Sequence, residues 1–286
     1  MKNLTIGYLF YGKIGDDENA FIEEAQKRGH HLIFFNIAES IDEKELRRRA
    51  GKCDIIYNNS AEEPAIELSK SLEELGKKVI DSSYTYYYIE DKWMFYLKCK
   101  KHKIPCPKTI LLPTNIAQAK KEIKKFSSFP VVLKRVDGCC GEFVDRANNL
   151  SEAEQIIKKF WKKGGERLPI IAQEFIKSKS YRITVIDGEI VQTVIKNKTG
   201  WKSTAVYQKK AFLTFKVNKE LKKSLKKMIN AVSIKVFGAD YMKKGRKWLA
   251  LEINAQPDLG FFPEERGMLV EKIFDVLEKR VKYAKT

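Results

Sequence analysis

An α/β fold that turns to α+β in its later part is predicted by three features of the chain. Residues 1–90 alternate strand and helix signals in a βαβαβ rhythm, which implies a small open parallel sheet. Past residue 170, apolar runs are joined by tight turns instead, and Asp187-Gly188 is a strong hairpin signal. Leucines and lysines that alternate from Lys216 to Lys227 mark an amphipathic helix within that second half.

Each element has a local cause. Leu4–Phe10 reads as a strand; Asp16 or Asp17 can cap a helix through Arg28, and Gly29 ends it. His31–Ile37 is the next strand, followed by a helix over Asp42–Ala50 and a strand over Asp54–Asn58. Pro64 opens a helix that closes at Gly76, and Lys78–Asp81 completes the sheet. No GxGxxG lies here, so dinucleotide binding is not supported, and Tyr11–Gly15 and Asn58–Glu63 are the default ligand loops. Asp91 opens a helix ending near His102, and Ile104-Pro105-Cys106-Pro107 is extended because proline biases its predecessor away from helix. Phe129–Lys134 is a buried strand, and Ser151–Lys163 a helix with Ser151 and Glu154 as a capping box. Strands follow at Ile170–Glu174, Tyr181–Ile186 and Glu189–Ile195. A long helix over Asn218–Phe237 precedes a hairpin whose turn is Lys243-Lys244-Gly245-Arg246, and a last helix covers Met268–Ala284. The texture divides the chain into 1–90, 91–170 and 171–286.

Composition narrows the class. A chain of 286 residues with 43% hydrophobic and 11% aromatic content is long and apolar enough for real cores. Its apolar runs are too short to span a bilayer, and its first residues enter a strand without a signal-peptide core, so a cytoplasmic protein is expected. Five cysteines form an odd set without zinc spacing, and adjacent Cys139-Cys140 read better as small loop residues than as a redox pair. The net charge is +18, from 55 Lys and Arg against 37 acids. It suits an anionic partner such as a nucleotide, an acidic peptide or an acidic carrier protein, and it also suits a plain lysine-rich surface. No RNP, KH or zinc pattern supports nucleic acid. His30, His31 and His102 lie outside every motif.

Three segments carry chemistry. Glu252 and Asn254 sit two apart on a strand and so share a face, and the hairpin brings Asp240 beside them. Three oxygen side chains on one patch suit Mg²⁺, while a salt-bridged strand end is the plainer alternative. Lys134 ends an apolar strand and runs into Gly138-Cys139-Cys140-Gly141, which is either a phosphate cradle or an ordinary turn. Gln173-Glu174-Phe175-Ile176 leaves a strand whose edge can offer backbone groups to a base.

The order of these pieces, from Asp91-Lys92-Trp93 through Ile104-Pro105 and Pro130–Lys134 to Leu251–Asn254, resembles the ATP-grasp superfamily. Within it the chain is most similar to the RimK-type and carrier-protein branch of amino-acid ligases, over about residues 78–265. The resemblance implies a two-lobed ATP-grasp fold after the N-terminal sheet. It implies that Lys92 and Lys134 contact ATP phosphates, that Gly138, Cys139, Cys140 and Gly141 form the loop over them, and that Gln173, Glu174, Phe175 and Ile176 receive adenine. It places Arg182 and Lys202 at the reacting centre and Asp240, Glu252 and Asn254 on Mg²⁺, with Mn²⁺ as a substitute. The activity implied is ATP-dependent carboxylate–amine ligation through an acylphosphate, with an amino acid such as glutamate as one substrate, in a homo-oligomer. A nucleotide-responsive binding protein for RNA or an acidic protein, and a carboxylase or kinase-like phosphoryl transfer, are the alternatives. Three positions depart from the family pattern: Ser180 replaces an acid, Ala205–Ala211 replaces a basic, glycine-paired segment, and Asp258 stands where glycine is frequent. Asp258 either reads an amine or caps the following turn.

Overall fold

The computed structural model describes residues 3–60, 62–89, 91–126, 129–138, 141–163, 168–196, 200–201 and 212–282. The first unit holds β1 (Thr5–Phe10), α1 (Asp16–Arg28), β2 (His31–Asn36), α2 (Glu43–Lys52), β3 (Ile55–Asn58), α3 (Glu63–Glu74), β4 (Val79–Ile80) and α4 (Ser83–Ile89). Its sheet is wholly parallel in the order β2-β1-β3-β4, as the βαβ rhythm predicts. Gly29 adopts φ 71° and ends α1 as read. Neither Asp16 nor Asp17 caps its start: both lie inside the first turn, and Gly15 is the cap residue, its N–H donating to Glu18. Asp42 caps α2 by accepting from Glu45 N. The short helix α4 has no counterpart in the sequence reading, because four tyrosines within seven residues show neither helical nor strand periodicity.

Next come α5 (Lys92–Lys101), β5 (Thr109–Leu111), α6 (Ile116–Phe126), β6 (Val131–Arg135), β7 (Val144–Ala147), α7 (Leu150–Lys163) and β8 (Ile170–Glu174). Here the sheet is antiparallel in the order β5-β8-β6-β7, backed by α6 and α7 through Ala119, Ile123, Ile156, Ile157 and Phe160. The capping box expected from Ser151 and Glu154 is replaced by a side-chain cap two residues earlier. Asn149 Oδ1 accepts from Glu152 N, while Glu152 accepts from Asn148 N and Asn149 Nδ2. Glu154 is instead drawn to Lys120 and Lys158, so its carboxylate is spent between helices.

The last unit is β9 (Ser180–Ile186), β10 (Glu189–Lys196), α8 (Lys219–Val232), β11 (Val236–Lys244), β12 (Lys247–Asn254), a 3-10 turn at Pro263–Glu265 and α9 (Arg266–Lys282). Its sheet runs β10-β9-β11-β12, antiparallel throughout. Asp187 and Gly188 turn with φ 44° and 87°, the left-handed pair that a two-residue hairpin needs. The long helix expected over Asn218–Phe237 ends earlier, at Val232. Ser233 takes a left-handed cap, and Val236 and Phe237 belong to β11. Helix α8 buries Leu221, Leu225 and Met228 and leaves Lys222, Lys223 and Lys226 exposed, so that lysine run is a solvated face.

Helix α9 returns to the first unit. Ile273, Phe274 and Leu277 enter one core with Tyr8, Phe21 and Tyr57, and a side chain such as Phe274 contributes roughly 1.5–3 kcal/mol there. Arg28 on α1 donates to Asp275 and Glu278 at 2.8 and 3.1 Å, and His30 bridges Leu4 N to Glu278, a structural role for that histidine. No helix among the described residues is long and apolar enough to cross a membrane.

Asp81, at the end of β4, joins the first unit to the last by accepting from Lys235 N and Val236 N at 2.9 and 3.0 Å. Burial pushes its carboxyl up to about 6, against the backbone donors and the charge of Lys235 and Arg280. A carboxyl raised on folding holds its proton more tightly in the native state. Its stabilising contribution is therefore full below about pH 4 and lost as pH rises through 6, about 3 kcal/mol in all. Denaturant unfolding of the wild type and Asp81→Asn across pH 4 to 7 should show the wild type losing about that much relative to the variant. A constant difference would mean that Asp81 titrates normally.

Candidate active site

The site is built on the face of the third sheet that α8 does not cover. Directly opposed residues of antiparallel strands share a face, and the register sets Arg182 opposite Asp240 and Asp240 opposite Glu252. Thr184, Gly238 and Asn254 line up one step along. The alternate residues Ile183, Ala239 and Ile253 enter the core beneath α8. Pairing shifts after Asp240, so Tyr241 meets Ala250 and Leu251 is left over as a bulge. Leu249, Leu251 and Met242 then gather with Ile176 into an apolar patch beside the charged one.

Asp240 lies at the centre, only 3% exposed. Arg182 grips both carboxylate oxygens, through Nε to Oδ1 and through Nη2 to Oδ2 at 3.0 Å. Lys196 Nζ lies 3.2 and 3.0 Å from the same two oxygens. Gly238 makes this possible, because a Cβ there would stand 2.7 Å from Arg182 Nη1 and 2.8 Å from its Cδ. The ring of Phe261 covers both cations, at 5.9 Å from the Arg182 guanidinium carbon and 5.8 Å from Lys196 Nζ. Burial alone would raise the Asp240 carboxyl, but Arg182 and Lys196 outweigh it and hold it well below the carboxylate range. Burial and then Arg182 lower the Lys196 ammonium, against Asp240.

Among the described residues the Glu252 carboxylate makes no hydrogen bond or ion pair, and Asn254 Nδ2 is buried without a partner. Lys134, buried at the end of β6, is near enough to feel Glu252, Lys92 and Asp240. Burial lowers its ammonium to about 8, helped by Lys92 and opposed by the two carboxylates. Lys92 begins α5, whose first turn is capped by Asp91, and its ammonium donates to Gly138 O at 2.8 Å. Gly138 and Gly141 both hold left-handed φ, 103° and 71°, framing the turn between β6 and β7.

A family model described as the RimK-like ATP-grasp domain matches residues 89–276, which includes every residue placed above. The chain belongs to that ATP-grasp family. It is 24% identical to a probable alpha-L-glutamate ligase of Shewanella pealeana, over 98% of this chain and 64% of that one. The chain thus spans less than two thirds of that relative's length. It is 26% identical to the alpha-aminoadipate–LysW ligase LysX of Saccharolobus solfataricus, over 94% of this chain and 98% of that one. In fold it is similar to a RimK domain ATP-grasp protein of Sphaerobacter thermophilus, with a TM-score of 0.75 at 17% identity over 95% of this chain and 98% of that one.

Within this ATP-grasp frame, Lys92, Lys134, Gly138, Arg182, Asp240, Glu252 and Asn254 converge on one side of the third sheet and the facing loop. Gln173–Ile176, the segment expected to receive adenine, reaches the neighbouring apolar patch through Ile176. Gln173 spends its amide on Thr109 Oγ1 at 3.0 Å, tying β8 to β5, and Glu174 pairs with Lys244 of the β11–β12 turn. Phe175 lies under Arg146, whose guanidinium carbon is 5.3 Å from its ring, and Ile176 joins the apolar patch. Lys202, Cys139, Cys140 and the Ala205–Ala211 segment lie outside the described residues. Asp258 Oδ1 accepts from Gly260 N at 2.9 Å, the turn-capping alternative. Ser180 is buried, and its hydroxyl has no partner among the described residues.

Sequence reasoning missed Lys196, Gly238 and Phe261. Lys196 had a signal, since it closes an alternating strand as Lys134 does and shares parity with Gln192 and Val194. Gly238 and Phe261 had none, because their role depends on where one arginine lies.

The donor set suits a magnesium nucleotide. Among the described residues no three or more His, Cys, Asp or Glu side chains form a metal cage. Mg²⁺ needs no such cage when a nucleotide's phosphates complete its shell. The unpaired Glu252 and the orphaned Asn254 amide are groups that a metal and a phosphate would satisfy. Their energetic roles differ from that of Asp240. Asp240→Asn should cost about 3–5 kcal/mol in denaturant unfolding, because it strands two buried cations. Glu252→Gln removes no ion pair and should stay within about 1 kcal/mol of the wild type. Equal losses in the two variants would overturn the central position given to Asp240.

Proposed function

We propose that this chain is an ATP-dependent carboxylate–amine ligase, making an amide bond through an acylphosphate and releasing ADP and phosphate. The observation that supports the reading is the gathering of Lys92, Lys134, Arg182 and Lys196 around Asp240 and Glu252, with Asn254 one step along the same strand face. Four cations around two oxygen donors form an environment for a polyanion and a hard metal ion. Membership of the ATP-grasp family supports it, as do relatives named for glutamate ligation and for LysW ligation. We take an amino acid such as glutamate as one substrate. The +18 charge makes an acidic carrier protein or acidic peptide a fitting partner.

Each group has a task in that reaction. Lys92 and Lys134 hold the phosphates from the loop side, and Gly138 and Gly141 let backbone N–H groups approach them. Glu252, Asn254 and Asp240 would hold the metal, which neutralises charge on the transferred phosphoryl group when bound. Arg182, fixed by its grip on Asp240, faces the oxygens on which charge develops during phosphoryl transfer and amine attack. Ile176, Met242, Leu249 and Leu251 provide an apolar bed for a base. No covalent enzyme nucleophile is required.

ADP release measured over a grid of carboxylates and amines with Mg²⁺ should appear only when both substrates are present. Glu252→Gln and Asn254→Ala should each lower turnover by about a hundredfold or more while leaving the fold intact. Turnover with a carboxylate and no amine would favour the phosphoryl-transfer alternative.

Lys134 adds a pH signature. With its ammonium lowered to about 8 in the free protein, it is largely neutral at pH 9 and recovers its proton against bound phosphate. Calorimetric ATP binding at pH 9, repeated in buffers of different ionisation enthalpy, should report proton uptake that vanishes at pH 7 and in Lys134→Met. Identical apparent heats in all buffers at pH 9 would remove Lys134 from the phosphate site.

A further inference from the structure

Asp240 is assigned to the metal, yet neither of its oxygens is free. Arg182 spans both, and the Lys196 ammonium lies within 3.2 Å of each. We propose that Lys196 is a resident placeholder for the metal cation, seated on Asp240 until metal and nucleotide arrive together, and that its ammonium then passes to the nucleotide's phosphates. The proposal rests on the ligase reading only in taking a divalent ion and ATP as the ligands of this site.

Charge balance carries the argument. Arg182, Lys196, Lys134 and Lys92 face Asp240 and Glu252, four positive charges against two negative, so the site carries two positive charges without ligand. A divalent cation entering alone would double that excess beside Asp240, Arg182 and Lys196, each less than a tenth exposed, which is costly in so dry a place. Entering with a triphosphate, whose charge is about −4, it brings the site to neutrality, and the displaced ammonium gains a partner. The site therefore accepts the metal–nucleotide pair and refuses the bare ion.

The side chains divide this work by their chemistry. Arg182 is bidentate on Asp240 and packs closely against Gly238 beneath the Phe261 ring, so moving it would break two hydrogen bonds and that packing at once. Lys196 carries a point charge on a flexible four-carbon stem at the last residue of β10 and needs no fixed fork geometry. Of the two cations on Asp240, the lysine is the one built to leave.

The test is the affinity of the protein for Mn²⁺ alone, read by electron paramagnetic resonance as the loss of free-ion signal, without nucleotide or turnover. Lys196→Met should bind Mn²⁺ at least about tenfold more tightly than the wild type, because the competing charge is gone. Lys196→Arg should stay as weak as the wild type, and adding Glu252→Gln to Lys196→Met should abolish the gain. Equal affinity in the wild type and Lys196→Met, or a gain that survives loss of Glu252, overturns the proposal. Should Lys196→Met not fold, the wild type carries the test through the ¹⁵Nζ resonance of Lys196. Its hydrogen-bond coupling to the Asp240 carboxylate should disappear at saturating Mg²⁺ and a nonhydrolysable ATP analogue, and persistence of that coupling refutes displacement. Failure of the ligase reading is seen separately, as the absence of ADP release in the substrate grid while Lys196→Met still gains Mn²⁺ affinity.

Discussion

A buried carboxylate shared by two buried cations is the constraint around which the second half of the chain is organised. Asp240, Arg182 and Lys196 are each less than a tenth exposed, and such charges are tolerated only when paired and hydrogen-bonded. That requirement reaches outward. Gly238 must lack a side chain so that Arg182 can lie across its strand, and Phe261 must return from beyond β12 to cover the two cations. Glu252, next to Asp240 but outside the pairing, is left as the carboxylate available to a ligand.

The two faces of the third sheet separate stability from chemistry. Ile183, Ala239 and Ile253 pack with Leu225 and Met228 of α8, so one face is ordinary core. The other face holds the charges. The bulge at Leu251 changes the parity of β12 and sets an apolar patch beside the charged one on the same surface. Asp81 and α9 then anchor this sheet to the N-terminal unit, through the start of β11 and through the aromatic core around Phe274.

Much of the fold was legible because local causes act within a few residues. Gly29 and Asp42 do what glycine stops and aspartate caps do, and the βαβ rhythm yields a parallel sheet. Errors arose where two local signals competed. Asn149 displaced Ser151 as a cap because a neighbouring glutamate answered it, and α8 stopped at Ser233 although the apolar run continued. The tyrosine-rich α4 carried no periodicity to read. In the site, strand spacing foretold that Glu252 and Asn254 share a face, and the register places Asp240 beside them. Nothing in the spacing foretold that Lys196, far away in sequence, would sit on the same carboxylate.

The sequence by itself determined the α/β class, the order of the motifs and the strand parity of the site, since period-two alternation and turn chemistry are properties of neighbouring residues. Only the tertiary structure decided which charges neutralise one another. Arg182, Lys196 and Asp240 come from three strands, and the pairing of buried charges depends on distances of a few ångströms across a sheet. Side-chain spacing along a chain does not encode those distances. They arise when the register of β10, β9 and β11 is set by the core packed beneath them.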